Sequence, residues 1–265
     1  MSRQTELNYY RQLKQVAQLV REDVDANIVP LVKQLAPEYT ADGWSDTITS
    51  AINQLLTRWL GAFARRQAET IASQFVQTAA KDNARTLKGF GIDLYGGDTE
   101  MRDWLQASID YNVALIKDLP TKYLFQVNST IMEGMTAGVR PSYIAEQLVK
   151  IHGMTERRAK LIARDQFGKI QGSLNRIRQK NSGITYFKWV TSHDERVRHS
   201  HAILGSKVTK YGEGVYRWSD LPVNEKGEPT YPGHDINCRC VARPITDVQV
   251  ERNIKSGKTN PSVNR

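Results

Sequence analysis

Cysteine and histidine are concentrated near the C-terminus of the chain. The two cysteines are separated by one residue, and four of the five histidines lie between positions 193 and 240. Thiolates and imidazoles are ligands that zinc prefers, and two of each close a tetrahedral shell with no open position for water. The pattern therefore predicts one structural zinc ion per chain. The predicted ligands are His201, His234, Cys238 and Cys240, and the alternates are His193, Asp194 and His199.

Two other interpretations of these residues stay open at this stage. The cysteines can be small buried residues while the histidines make ordinary hydrogen bonds. Alternatively, Asp194, His201 and His234 can act as acid, base or metal ligand in a hydrolase or nuclease. No serine lies in a glycine elbow that would expose a nucleophile. A disulfide between residues one position apart would close a strained ring, which argues against that kind of staple.

Residues 189–201 form the most motif-like segment of the chain. Asp194 is followed at alternate positions by Arg196 and Arg198. Either guanidinium can pair with the carboxylate, and such a pair orders a loop when it is partly buried. The segment therefore predicts a turn held together by charge.

The positive charge of the chain is unevenly distributed. The 265 residues include 37 basic and 28 acidic side chains, for a formal charge of +9. Residues 1–150 hold 16 basic and 17 acidic side chains, whereas residues 151–265 hold 21 and 11. A surplus confined to one part of the chain predicts contact with a polyanion, either nucleic acid or an acidic protein surface. The alternative is a solvated basic face.

Residues 1–153 are predicted to form a helical domain. Apolar residues repeat at intervals of three and four through most of this segment, which is typical of amphipathic helices. We expect one long helix that ends by residue 89, a glycine-rich loop over 91–99, and helix ends at Pro120 and Gly153.

Residues 154–182 are predicted to form a basic helix that leads the C-terminal module. Thr155 suits an N-cap, and Gly183 follows the last turn. Apolar residues from Ala163 to Ile177 form one stripe, which leaves the other faces to cations. The predicted DNA contacts are Arg157, Arg158, Lys160, Arg164, Lys169, Arg176, Arg178 and Lys180, together with Arg252, Lys255, Lys258 and Arg265 near the C-terminus.

Short strands are predicted after this helix. Residues 184–190 are rich in β-branched and aromatic side chains, and shorter candidates lie at 207–209, 215–218 and 240–243. The fold class is therefore mainly α, with a small α+β C-terminal module over 154–250 that zinc would staple. Residues 251–265 are polar and predict a flexible basic tail.

Two blocks of the chain resemble the head-morphogenesis domain of the phage Mu F-like minor head proteins of tailed bacteriophages. The first, W-x-T-x-x-D-x-R-V-R-x-x-H, covers 189–201 and is followed by Gly205. The second, P-G-H-x-x-x-C-R-C-x-x-x-P, covers 232–244. In the family, an acidic residue often follows an arginine in the helix that precedes these blocks, and Asp165 fills that place here. The resemblance covers about 110–245, and its motif residues are Trp189, Asp194, Arg196, Arg198, Gly205, Pro232 and Pro244.

The resemblance implies a structural minor capsid protein that acts during virion assembly. Its expected partners are the portal protein, the major capsid protein and packaged double-stranded DNA. The expected locations are the host cytoplasm during assembly and the interior of the virion head. Some relatives carry an appended toxin or nuclease domain, and we expect none here because the chain ends soon after Pro244.

Two further expectations complete the prediction. No apolar run reaches the ~18 residues that a membrane-spanning helix needs, and the N-terminus lacks a secretory signal, so we expect a soluble protein of a reducing cytoplasm.

A zinc-stapled DNA-binding protein of the host is a third candidate function. It is less favoured because no finger-like or helix-turn-helix recognition helix is recognisable.

Overall fold

The computed structural model describes residues 3–35, 44–92 and 99–261. Helices dominate it, and a small group of strands lies near the C-terminus, which confirms the predicted fold class. The helices are α1 (Arg3–Asn27), α2 (Val29–Leu35), α3 (Trp44–Leu60), α4 (Ala62–Gly89), α5 (Thr99–Thr136), α6 (Pro141–Asn181), α7 (His199–Ser206) and α8 (Asp247–Lys255). The strands are β1 (Tyr186–Val190), β2 (Val208–Thr209), β3 (Gly212–Glu213), β4 (Val215–Arg217) and β5 (Val241–Ile245).

The chain divides into two compact units. The first, called the bundle unit, comprises residues 4–75 and 106–163. The second, called the sheet unit, comprises residues 76–105 and 164–265 together with the first three residues. Within the described part of the chain, no helix combines the length and the apolar composition needed to cross a membrane.

The bundle unit is held together by apolar side chains at helical spacing. Val24 of α1 and Ile28, which lies between α1 and α2, pack in one cluster with Ile48, Leu124 and Ile131, all of which are fully buried. Each such side chain contributes ~1.5–3 kcal/mol through removal from water. This cluster confirms the helical periodicity that the sequence shows.

A second contact in the bundle unit fixes helix α1. The Tyr9 ring stacks on Phe75 with ring centroids 3.8 Å apart, and its hydroxyl donates to Asn112 Oδ1 at 2.9 Å. Burial raises the pKa of the Tyr9 phenol far above its usual range. The phenol therefore stays neutral, and its hydroxyl is hydrogen-bonded although the ring is buried among apolar atoms.

The long helices are more continuous than the sequence predicted. Helix α5 passes through Pro120, and α6 passes through Gly153. Thr155 does not cap a helix, because its hydroxyl donates to the Ile151 carbonyl one turn earlier at 3.1 Å. A glycine costs a helix only ~1 kcal/mol and a proline ~3 kcal/mol. Burial of flanking residues such as Leu119 offsets these local penalties.

Two other predicted boundaries differ from the structure. The single helix expected up to residue 89 is divided at Gly61 into α3 and α4. The expected tail from residue 251 begins inside α8, which a capping box between Thr246 and Gln249 initiates. Most of the glycine-rich segment 91–99 lies outside the described residues.

The sheet unit contains an antiparallel sheet in the order β4-β1-β5. In the central strand, Phe187 lies opposite Tyr216 on one side and Pro244 on the other, and Trp189 lies opposite Ala242. The inward faces of these strands form an aromatic core with Trp218. Both cysteines belong to that core, so the sheet determines where their sulfurs lie.

Candidate metal centre

His201 and the two cysteines converge on one buried point. His201 lies in the first turn of α7, whereas Cys238 and Cys240 lie in the segment that leads into β5. The imidazole Nδ1 is 3.6 Å from the Cys238 sulfur and 3.7 Å from the Cys240 sulfur. The three potential ligand atoms all lie within 4.8 Å of one another. The side chains are almost fully buried, so these contacts are made inside the core.

Asp235 fixes the orientation of the His201 ring. Its Oδ2 is 2.9 Å from His201 Nε2 and also accepts a hydrogen bond from the Thr230 hydroxyl at 3.1 Å. Asn224 donates to the other carboxylate oxygen at 3.3 Å. Burial opposes the charge of Asp235, but these hydrogen bonds outweigh burial and hold its pKa below the usual range. A proton on Nε2 leaves Nδ1 with a lone pair directed at the sulfurs.

Each sulfur also faces an N–H group. The Gly233 backbone N–H donates to the Cys238 sulfur at 3.3 Å. The buried indole N–H of Trp189 makes no hydrogen bond of ordinary geometry with the described residues. It nevertheless favours the charged form of Cys240. N–H groups directed at sulfur stabilise thiolates rather than thiols.

The two sulfurs interact strongly with each other. A hydrogen bond from Cys240 lowers the pKa of Cys238, helped by His201 and the Gly233 N–H. The same contact and burial raise the pKa of Cys240. The two thiols therefore do not ionise independently, and a cation bound by both sulfurs would favour the charged form of each.

Helix α6 supports the cysteine loop through two glycines. A β-carbon at Gly168 would lie 2.6 Å from the Cys238 carbonyl oxygen, and one at Gly172 would lie 2.4 Å from the Pro232 carbonyl oxygen. Asp165 accepts a hydrogen bond from the Asn237 backbone N–H at 2.8 Å. Neither glycine was predicted as a site residue, although two glycines four positions apart on one helix face allow a close backbone approach.

The turn after β1 is held by charge, but by another arginine than the sequence suggested. The Asp194 carboxylate pairs with Arg239, the residue between the two cysteines. Arg196 contributes its backbone N–H at 3.0 Å, and the Arg198 guanidinium donates to the Ile236 carbonyl at 2.6 Å. The hydrogen bond from Arg239 holds the pKa of Asp194 below its usual range. The turn is thereby linked to the cysteine segment.

The structure places the other predicted ligands outside this cluster. The His234 ring packs on Tyr231 with centroids 4.9 Å apart, and nearly half of its side chain is exposed. His193 and His199 are exposed, and the His193 ring nitrogen lies 3.4 Å from the Thr191 hydroxyl. In the described part of the chain, the group of potential metal ligands consists of His201, Cys238 and Cys240.

The remaining motif residues build the surroundings of the cluster. The Trp189 ring lies edge-on to His201 with centroids 5.2 Å apart. Gly205 leaves room for Thr191, whose methyl group would lie 3.1 Å from an added β-carbon. Pro232 lies under α6, and Pro244 pairs with Phe187 in the sheet. These positions are structural.

The cations of the predicted basic helix do not form one free surface. Lys169 pairs with Asp165 at 2.8 Å, and Arg158 pairs with Asp118 at 2.6 Å. Arg176 lies over the Tyr231 ring at 5.3 Å. Arg164 is half-buried. The exposed members are Arg157, Lys160 and Lys180.

Arg178 belongs to a polar network inside the sheet unit. Its guanidinium donates to Asn83 Oδ1 at 2.7 Å and to the Ala80 carbonyl at 2.9 Å. The Asn83 amide group donates in turn to Asn175 at 2.8 Å and to Gln171 at 3.1 Å. Burial lowers the pKa of Arg178. Sequence reasoning missed this network because the polar residues involved are distant along the chain.

Comparison with known proteins concerns the segment that contains helix α6, His201 and the two cysteines. A relative from Haemophilus influenzae, described as an uncharacterized protein, is 31% identical over 255 residues, which cover 93% of this chain and 54% of the relative. The chain thus spans about half the length of that relative. No solved structure matches the chain significantly. The sequence model of the phage Mu protein F-like family matches residues 125–243, which include His201, both cysteines and all of helix α6. This segment is therefore similar to the phage Mu protein F-like family, which supports the resemblance to phage head-morphogenesis proteins.

Proposed function

We propose that this protein is a structural minor head protein of a tailed bacteriophage, acting in head assembly at the portal or the inner face of the capsid. The family match over residues 125–243 carries this proposal. It implies a place in the virion head, with assembly in the host cytoplasm before DNA packaging. The family is structural, which agrees with a protein that is not an enzyme.

An exposed face of helix α6 supports a docking role for the bundle unit. Tyr143, Met154 and Leu161 are spaced by 11 and 7 residues, which places them on one side of the helix. Each remains about half exposed despite its size. Lys150 and Arg157 lie on the same side and are exposed. Mixed apolar and cationic surfaces of this kind suit a protein partner, and we assign this face to the portal or major capsid protein.

The cations of the sheet unit support a second contact with double-stranded DNA. Lys180 is exposed, as are Arg252, Lys255 and Lys258 near the C-terminal end of the described chain. Because Lys169, Arg176 and Arg178 are engaged within the unit, we assign the DNA contact to the exposed cations. Such a contact is electrostatic and independent of DNA sequence.

A metal-dependent hydrolase or nuclease is the second candidate. The observation that favours it is the set of three ligands rather than four, since three-ligand zinc sites keep a position for water. Against it, Asp235 is engaged by His201, Thr230 and Asn224, and Asp194 is engaged by Arg239. Neither carboxylate is positioned as an unengaged general base.

Co-purification tests the assembly role directly. The full chain is co-expressed with the portal protein encoded by the same phage, and complexes are isolated through a tag on the portal. We expect recovery of the chain with the portal and a loss of at least tenfold, ~1.4 kcal/mol, when Tyr143 and Leu161 are both changed to serine. Val149→Ser is the matched control, because Val149 is exposed on another side of the same helix.

The outcomes separate the assembly proposal from the choice of surface. If neither the portal nor the major capsid protein retains the wild-type chain, and the chain is absent from purified heads, the proposed function is wrong. If Val149→Ser impairs recovery as much as the double variant, the assigned face is wrong while the assembly role stands.

A further inference from the structure

We propose that His201, Cys238 and Cys240 bind one zinc ion per chain, through one nitrogen and two sulfurs, with a solvent molecule as the fourth ligand. This inference is independent of the head-assembly role, since it concerns what holds the sheet unit together. Nothing in the comparisons with known proteins names a metal for this chain.

The distances fit a shared metal. Zinc binds thiolate sulfur at ~2.3 Å and imidazole nitrogen at ~2.05 Å in tetrahedral sites, so a ligating nitrogen and sulfur lie about 3.6 Å apart. The Nδ1–sulfur distances are 3.6 Å for Cys238 and 3.7 Å for Cys240. Both nitrogen–sulfur distances therefore match that spacing, and the three ligand atoms lie within 4.8 Å of one another.

The near-equality of these distances argues against a catalytic thiol–imidazole pair. A nucleophilic cysteine shares a proton with one imidazole nitrogen, and the hydrogen bond singles out one sulfur. Here both sulfurs are equally close to the same nitrogen, and both side chains are about 95% buried. A common centre accounts for both contacts.

The groups around the ligands match those of a metal site. Zinc-bound histidines usually donate their other ring N–H to a carboxylate, as His201 does to Asp235. Thiolate ligands accept hydrogen bonds, and the Gly233 and Trp189 N–H groups supply donors beside the two sulfurs. A divalent cation would neutralise two buried thiolates, which are otherwise costly to place together.

The position of the ligands explains why a metal is useful here. His201 is on α7, and the cysteines precede β5, so the ion would link two segments 37 residues apart along the chain. Between them lie turns and three very short strands, β2 to β4, none longer than three residues. Small, loop-rich modules of this type commonly depend on a metal for stability.

The first measurement uses the unaltered full chain. Purified protein is analysed for metal and then treated with a mercurial thiol reagent in the presence of a zinc-sensitive dye. We expect one zinc per chain, released as the two cysteines react. Protein with no zinc, which also fails to take up zinc or cobalt after reduction, overturns the proposal without reliance on any variant.

Cobalt substitution then identifies the ligands. The cobalt-loaded chain should show thiolate-to-cobalt charge transfer and the intense visible bands of a tetrahedral ion. Cys240→Ser and His201→Gln should each weaken cobalt binding by at least tenfold, since even the loss of a residue that only supports a metal ligand costs about 10–100-fold. A folded Cys240→Ser variant with unchanged cobalt affinity and charge-transfer intensity would refute the assignment.

His234→Ala is the matched control for the fourth ligand. Because His234 is packed on Tyr231 and half exposed, we expect the same stoichiometry and the same cobalt spectrum as the wild type. A shifted spectrum with weakened binding in this variant would show that His234 ligates the metal, and would overturn the assignment of solvent to that position.

Discussion

Gly172 of helix α6 and Gly233 of the cysteine loop lie so close that a β-carbon on either would be 2.9 Å from the α-carbon of the other. Gly233 also has a positive φ of 92°, a conformation that side-chain-bearing residues rarely adopt. The contact seats the loop directly on the helix backbone. The position of Cys238 is therefore determined by α6 as well as by the sheet.

Gly172→Ala should destabilise the protein by ~1–3 kcal/mol, because the added methyl group meets backbone atoms that cannot rotate away. Urea unfolding measures the change. Gly153→Ala is the matched control in the same helix, since no atom lies within 4 Å of its added β-carbon. We expect the control to stabilise by ~0.5–1 kcal/mol. Equal effects in the two variants would contradict the close approach.

Asn83→Ala should lower the free energy of unfolding by ~2–4 kcal/mol. The substitution leaves the Arg178 guanidinium and the Asn175 amide without a shared buried partner, and unpaired buried polar groups are costly. Thermal or urea unfolding provides the measurement. Arg85→Ala in the same helix removes only an exposed ion pair with Asp82, so a change below ~0.5 kcal/mol is expected. A loss below that level for Asn83→Ala would show that the network contributes little.

Binding to duplex DNA should weaken steeply with salt. Each phosphate contact contributes about 0.9 to the slope of log affinity against log salt. Fluorescence anisotropy at several salt concentrations measures the slope, and Arg252→Gln with Lys255→Gln should reduce it by about two contacts. Lys169→Gln is the control, because Lys169 is paired with Asp165. An affinity that does not vary with salt, or no binding at low salt, would rule out the DNA contact.

The Asp194 carboxyl should titrate below the usual range of an aspartate. The pairing with Arg239 favours the charged form, so its stabilising contribution is present above the ordinary carboxyl pKa and is lost as pH falls through the lowered value. NMR titration of the side chain measures the shift. Arg239→Gln should return the pKa toward normal, whereas Arg196→Gln should change it less, since Arg196 bonds through its backbone N–H. A normal pKa in the wild type would contradict the pairing.

The residue types at the candidate site could be predicted from the sequence, but not which of the predicted ligands lie close together. His201, Cys238 and Cys240 come together as their residue types suggested. His234 does not, because it follows the positive φ of Gly233 and turns onto Tyr231. Whether a loop residue points inward depends on backbone angles that residue spacing does not encode. The metal itself stays a prediction.

The helices, too, could be predicted only in part from the sequence. Periodicity located the buried stripes, but Pro120 and Gly153 suggested ends that the structure does not have. Local propensities of a few kcal/mol are outweighed by the packing of many side chains. Helix α7 was missed because its N-cap residue, Arg198, is not a capping residue type and makes no side-chain capping hydrogen bond.

The one-residue spacing of the two cysteines also determines how oxidation can damage this part of the molecule. Both cysteines are free, and a disulfide between positions so close would be strained. Oxidation therefore cannot stop at a stable, reversible disulfide between them. Oxidation of a metal-free cysteine here would instead proceed through sulfenic acid to irreversible higher acids. Arg239 lies between the two cysteines along the chain and pairs with Asp194, so such a lesion would also disturb the turn after β1.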